Sequence, residues 1–142
     1  EDCRPDDFDL QSLDLVGCAT LEASHPRSPR PVAPLVEEFE QGALSDTASR
    51  IGLDVTELRA GVPTDLGRWA SRAGAIQIAT PYIPTGPLQD WMLEAMPALE
   101  EARIDLVEWR RDWDTAIWPH STAGFFKVKK QIPAILQEMG LT

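Results

Sequence analysis

The sequence is poor in the features that mark membrane proteins, exported proteins and metal sites. No apolar run approaches the roughly 20 residues of a membrane-spanning helix, and no basic segment with an apolar stretch behind it marks a signal peptide. Only two cysteines occur, Cys3 and Cys18, without a Cys-x-x-Cys or Cys/His zinc spacing. We expect a cytoplasmic protein with two reduced thiols, the alternative being a Cys3–Cys18 disulfide in an exported one.

Basic residues are also scarce. The chain has 13 Lys and Arg against 23 Asp and Glu, which gives a formal net charge of −10. Such a charge repels phosphate backbones and anionic lipid headgroups. We therefore expect no direct nucleic-acid binding and no docking on a membrane. The length of 142 residues suits a single domain with its own core.

Catalytic motifs are missing as well. The sequence contains no nucleophile elbow, metal triad or kinase signature, and the loop 81–87 has one glycine rather than a dinucleotide or P-loop pattern. We expect that this chain alone is not catalytic. The sequence does not begin with Met, and we expect a piece of a larger protein.

Extended segments alternate with helical ones from Val32 onward. The predicted strands are Leu53–Leu58, Ala75–Thr80 and Ile104–Trp109, with the apolar Ala75–Thr80 in the centre. This order predicts an α/β fold, a three-layer open, mostly parallel, Rossmann-like sheet with helices on both faces. The domain would cover residues 32–142, after an extended lead-in and proline-rich connector at 1–31.

Glycine and proline residues predict where the helices between these strands begin and end. Gly42 would interrupt the first helical stretch, Gly52 and Gly74 would end helices, and Pro87 would begin one. Pro97 would kink or split its helix, whereas Pro133 would bend a last helix that starts at Ser121 or Thr122. The apolar run 13–21 fits either a buried strand or a packed loop.

Two loops leave the predicted strands at the carboxyl edge, where open α/β sheets bind ligands. The first carries Tyr82 and Thr85, as a pocket wall or a rigid connector. The second carries Trp118 and His120, which line a pocket or an interface or else pack against the last helix. Asp114 could orient His120 for acid–base chemistry. His25 and the carboxylates of Glu37, Glu38 and Glu40 were expected to face solvent.

The stretch Leu44–Leu136 resembles the α/β domain of the photolyase/cryptochrome family. The similar segments are "SRIGLDVTEL", "GVPTDLGRWASRAGAIQIAT", "PYIPTGPLQDW", "ARIDLVEWRRDWD" and the tail "WPHSTAGFFKVKKQIPAIL", which looks like bacterial photolyase-like flavoproteins. The opening "WFRRDLR"-like strand of the family is missing.

The resemblance implies a non-catalytic domain that supports a separate, FAD-binding helical domain in a deoxyribodipyrimidine photolyase-like lyase of DNA repair. Some members hold an antenna chromophore near the strand ends, and the Tyr82 loop is the counterpart region. No FAD- or DNA-contacting residue of the family carries over to this chain. The alternatives are a stand-alone α/β ligand-binding or regulatory domain without flavin, and a small hydrolase using His120 and Asp114. The hydrolase is disfavoured because no nucleophile is placed.

Overall fold

The computed structural model describes residues 3–4 and 7–141. The chain forms two compact units, Glu1–Trp109 and Arg110–Thr142, and each is described by itself. No helix in the described ranges is both long enough and apolar enough to cross a bilayer.

The described residues of the first unit form four strands and three long helices. In chain order these are β1 (Cys18–Glu22), α1 (Pro34–Ile51), β2 (Val55–Arg59), α2 (Thr64–Ala73), β3 (Gln77–Pro81), α3 (Pro87–Glu101) and β4 (Asp105–Trp109). Short 3₁₀ helices cover Leu10–Ser12 and His25–Arg27. The mixture of helices and strands confirms the α/β class.

The strands form two parallel pairs rather than one sheet. Cys18 stands opposite Val55 in the pair β1–β2, and Gln77 stands opposite Asp105 in the pair β3–β4. Each pair is a separate two-stranded sheet among the described residues. The hydrogen bonds therefore do not show the predicted single sheet with Ala75–Thr80 in its centre. An apolar run does not reveal how many partners a strand has, and Gln77 and Ala79 of β3 are exposed.

The first strand lies inside the stretch that the sequence assigned to a lead-in and connector. β1 pairs with β2 along all five of its residues, so structure begins well before Val32. Residues 1, 2, 5 and 6 of the predicted lead-in lie outside the described residues. The ambiguous run 13–21 resolves into an irregular segment followed by this strand.

Glycine and proline set several helix ends as predicted. Gly52 and Gly74 follow α1 and α2 with φ of +70° and +75°, the left-handed conformation that glycine adopts without a steric penalty. Pro87 opens α3. The predicted interruption at Gly42 is wrong, because α1 runs through it, and α3 remains one helix around Pro97.

The core of the first unit lies where α2 packs against α3. Ala70, Ala95 and Leu99 are fully buried there. Gly67 allows the close approach, because a Cβ at this position would lie 3.4 Å from the carbonyl oxygen of Ala98. Burying one large apolar side chain contributes about 1.5–3 kcal/mol. The helix pair thus contributes fully buried apolar side chains to the core of the unit.

The second unit consists of short helical segments. These are α4 (Asp112–Ile117), a 3₁₀ turn (Trp118–His120), α5 (Phe125–Lys129) and α6 (Ile132–Glu138). The predicted single last helix is therefore two helices. Pro133 lies in the first turn of α6, where its missing N–H has no partner to lose, so it begins a helix instead of bending one.

Candidate ligand-binding site

A cavity of about 670 Å³ lies within the first unit. Residues 18–21 of β1 and residues 77–81 of β3 both line it. Side chains of α1, α2 and α3 complete its walls. The cavity therefore has the two strand pairs on either side of it.

The chain topology explains why the cavity is at this position. From β1 the chain crosses through α1 to β2, and from β3 it crosses through α3 to β4, so each pair grows away from the other. β1 and β3 consequently each have one strand partner among the described residues. In open α/β sheets, ligands bind where neighbouring connections diverge in this way.

The cavity walls are mostly apolar. Leu66 and Met92 contribute buried side chains, and Trp69 and Ile78 contribute half-buried ones. The Trp69 ring lies close to Gly17, at the entry to β1. A Cβ built on Gly17 would lie 3.6 Å from this ring. Such an apolar surface favours a ligand that fits the cavity closely and buries its own apolar surface there.

Two hydroxyl groups of the cavity wall already have partners in the backbone. The Thr47 hydroxyl lies 2.8 Å from the carbonyl oxygen of Ala43, and the Thr80 hydroxyl donates to the carbonyl oxygen of Pro81 at 3.2 Å. Burial raises the pKa of the Cys18 thiol, and a backbone hydrogen bond at Ala19 lowers it by less. The thiol is therefore protonated at neutral pH and is not a nucleophile there.

Charge is sparse around the cavity and of one sign. Asp14 and Asp105 line it, and both are exposed; the described lining contains no Lys, Arg or His. A phosphate or carboxylate inside the cavity would find no cation to pair with. The site accordingly favours a neutral or cationic molecule.

Tyr82, in the loop after β3, is one of the residues that line this cavity. The loop is held in place because the Tyr82 N–H donates to the carbonyl oxygen of Trp109 at 2.8 Å and the Ile83 N–H donates to the Glu108 carboxylate at 3.2 Å. Thr85 is exposed and is not among the lining residues.

Trp118 and His120 belong to the second unit and lie on its 3₁₀ turn. The guanidinium carbon of Arg110 lies 5.2 Å from the Trp118 ring centroid, a cation–π distance, and 39% of Trp118 is exposed. Asp114 forms an ion pair with Arg111 at 3.8 Å and no hydrogen bond with His120. The proposed Asp114–His120 acid–base pair is therefore not formed.

A polar cluster at the carboxyl ends of β1 and β2 was missed by sequence reasoning. Glu22 forms an ion pair with Arg59 at 3.4 Å, and its carboxylate lies 4.0 Å from the His25 Nδ1. Glu40 approaches Arg27 at 3.7 Å, and only 14% of its side chain is exposed. The expectation that Glu40 faces solvent is wrong, because α1 directs it toward the end of β1. Its partners are distant in sequence, so no local pattern indicated them.

No group of three or more His, Cys, Asp or Glu in residues 3–4 and 7–141 is arranged to hold a metal ion. Comparison with protein-family models, with curated proteins and with solved structures found no match to this chain. The similarity to the photolyase/cryptochrome α/β domain accordingly stays a hypothesis.

Proposed function

We propose that this chain is a non-catalytic α/β domain that binds a planar, uncharged small molecule in the cavity between β1 and β3. The cavity itself carries this proposal. Its volume of about 670 Å³ falls within the roughly 300–1,000 Å³ of ordinary ligand sites. Its walls are apolar, which is typical of sites that take an aromatic ring system.

Aromatic side chains at the cavity support a ring-shaped occupant. Trp69 and Trp109 both line it, and Tyr82 adds a third ring. Trp109 is supported from behind by Phe8, whose ring centroid lies 5.1 Å away. Aromatic contacts add about 0.5–1.5 kcal/mol each beyond the area that they bury.

The resemblance of the sequence to photolyases suggests which ligand and partner this would be. The occupant would be an antenna chromophore, and FAD would be held by a separate helical domain that this one supports. DNA repair by a photolyase-like lyase would then be an activity of the larger protein. Tyr82 would contact the chromophore, because it is the residue of the predicted loop that lines the cavity. Trp118 and His120 are the candidate interface with the FAD-binding domain.

The three-layer sheet is an alternative arrangement of the same strands, in which β1 would pair with β3 and the cavity between them would close. A doubly wound domain would have the strand order β2-β1-β3-β4, with β1 beside β3. Both strands lie at the one cavity, and both pairs are parallel, which supports this order. Protection of the amide hydrogens of β1 and β3 from exchange, with and without ligand, measures whether the two pairs join.

A stand-alone α/β ligand-binding or regulatory domain without flavin is the second candidate. The lack of cations around the cavity favours it over a domain whose antenna chromophore is a flavin nucleotide, because such a chromophore carries phosphate. The two candidates differ in the molecule that copurifies: a photolyase-type domain would carry a visible-absorbing pigment.

The test is a titration of the chain with riboflavin, which has an uncharged ring system, and with FMN, which adds a phosphate. We expect saturable quenching of tryptophan fluorescence by riboflavin and at least tenfold weaker binding of FMN. Ala79→Leu fills part of the cavity and should weaken riboflavin binding at least tenfold. Ala134→Leu on the exposed side of α6 is the matched control and should not.

Two results would contradict the proposal. One is the absence of saturable binding for riboflavin and for other neutral planar probes such as lumichrome. The other is binding that Ala79→Leu leaves unchanged while its circular dichroism matches the wild type.

A further inference from the structure

The charges of the sequence are divided unequally between the two units. Residues 110–142 carry five basic and three acidic side chains, a formal charge of +2, and residues 1–109 carry eight basic and twenty acidic ones, a formal charge of −12. All three lysines, Lys127, Lys129 and Lys130, stand on or directly after α5. The second unit is therefore basic and the first unit strongly acidic.

The lysines accompany two exposed aromatic rings. Phe125 is 65% exposed and Phe126 is 74% exposed, and their ring centroids lie 5.6 Å apart in an edge-to-face arrangement. Phe126, Lys129 and Lys130 are spaced i, i+3, i+4 and share one side of the helix. We call Phe125, Phe126, Lys129 and Lys130 the α5 face.

The opposite combination is found on the first turns of α1. Leu35 is 75% exposed and Phe39 is 78% exposed, and the exposed Glu38, three residues after Leu35, falls on the same side of the helix by its spacing. A Cβ built on Gly42, one turn further along, would meet nothing within 4 Å. We call Leu35, Glu38 and Phe39 the α1 face.

We propose that the α5 face of one copy binds the α1 face of a second copy, so that chains associate head to tail. In this contact the rings of Phe125 and Phe126 pack against Leu35 and Phe39. Lys129 and Lys130 form ion pairs with Glu38. The formal charges of +2 and −12 attract each other across this contact.

The kind of assembly follows from the geometry. The two faces differ, so the contact is heterologous and leaves one free face at each end of a dimer. Two short helical faces bury much less than the ~1,600 Å² of a standard interface, and the association is weak. Since part of it is ionic, added salt weakens it.

The experiment is sedimentation velocity of the full chain over a wide concentration range. We expect the average mass of the wild type to rise with concentration, and to rise less in high salt. Lys129→Glu with Lys130→Glu disables the α5 face, and Leu35→Ser with Phe39→Ser disables the α1 face. Each double variant should stay monomeric, whereas Glu94→Lys on α3 and Arg72→Glu on α2, both exposed, should behave like the wild type.

Mixing the two double variants separates head-to-tail association from other kinds. Each variant keeps one intact face, so the mixture should form one-to-one dimers and nothing larger. A monomeric wild type at millimolar concentration overturns the proposal, as do assemblies that the lysine variant leaves intact. Lysine-dependent binding to phosphatidylserine vesicles, without self-association, overturns it in favour of a lipid surface.

Discussion

The Glu40 carboxylate accepts a hydrogen bond from the Ser24 backbone N–H at 2.8 Å, although 16 residues separate them. The neighbouring N–H of Ala23 donates to the other carboxylate oxygen at 3.0 Å. Both donors belong to buried residues just beyond β1. One side chain of α1 therefore supplies the acceptors that the end of the strand would otherwise take from water.

Replacing Glu40 tests this connection. Glu40→Ala leaves two buried N–H groups without acceptors, at about 1–3 kcal/mol each, so we expect a loss of about 2–4 kcal/mol in the free energy of unfolding. Glu40→Gln keeps one acceptor and should lose less. Urea denaturation measures both, with exposed Glu38→Ala as the control; equal stabilities of the Glu38 and Glu40 variants would contradict the assignment.

Trp91 offers a second hydrogen bond to remove. Its indole Nε1–H donates to the carbonyl oxygen of Gly61 at 2.9 Å, and only 7% of the residue is exposed. Trp91→Phe leaves this carbonyl without its partner and shrinks the core, so we expect a loss of about 1–3 kcal/mol by thermal or urea unfolding. The same change at Trp113, which is 36% exposed, should alter stability by less than about 0.5 kcal/mol.

β3 allows a matched pair of charge substitutions. Ile78 packs against the core and Ile76, just before the strand, is 80% exposed. Ile78→Asp places a carboxylate among apolar groups and should unfold the first unit or cost at least about 3 kcal/mol. Ile76→Asp should stay within about 1 kcal/mol of wild type. Similar melting curves for the two variants would show that Ile78 is not buried.

The Cys18 thiol should make the stability of the fold depend on pH. Its folded pKa lies above the ordinary value of 9.0, so the folded chain holds this proton more tightly than the unfolded chain does. The resulting stabilisation is complete below the ordinary pKa and is lost as pH rises through the folded pKa. We expect Cys18→Ser to flatten the fall in stability above pH 9.

Alkylation of Cys18 by iodoacetamide gives the matching kinetic measurement. The thiolate is the reactive form, so the rate at Cys18 should be slow at pH 7 and climb above pH 9. A ligand in the cavity should slow it further, because Cys18 lines the wall. Fast alkylation at neutral pH, followed by mass spectrometry of the labelled peptide, would contradict the burial.

Duplex DNA should not bind this chain at physiological salt. The net charge of −10 opposes the phosphate backbone, and the three lysines are too few to offset it. An electrophoretic mobility assay checks this. A shift that disappears in the Lys129→Glu, Lys130→Glu variant would show instead that the α5 face binds nucleic acid.

Local features of this fold could be predicted from the sequence. The segments around 55–59, 77–81 and 105–109 were recognised within two residues because β-branched runs and glycine punctuation act over a few positions. Gly52, Gly74 and Pro87 set helix ends for similarly local reasons. Among the candidate site residues, Tyr82 lines the cavity of the first unit, and its role in binding stays a prediction.

Features that depend on distant partners could not be predicted. The pairing of β1 with β2 joins segments more than thirty residues apart, and an apolar run carries no mark of which strand lies beside it. The cavity lies where a continuous sheet would have backbone hydrogen bonds between β1 and β3. Glu40 looked like part of a solvated carboxylate run because its backbone partners lie far away in the sequence.

The confinement of lysine to the α5 region has a practical chemical consequence. Every side-chain amine of the protein lies at positions 127–130 and is exposed. Amine-reactive dyes, biotin esters and coupling surfaces that act on side chains will attach there, leaving the side chains around the cavity of the first unit unmodified. Lysine-specific proteolysis is restricted to the same short segment.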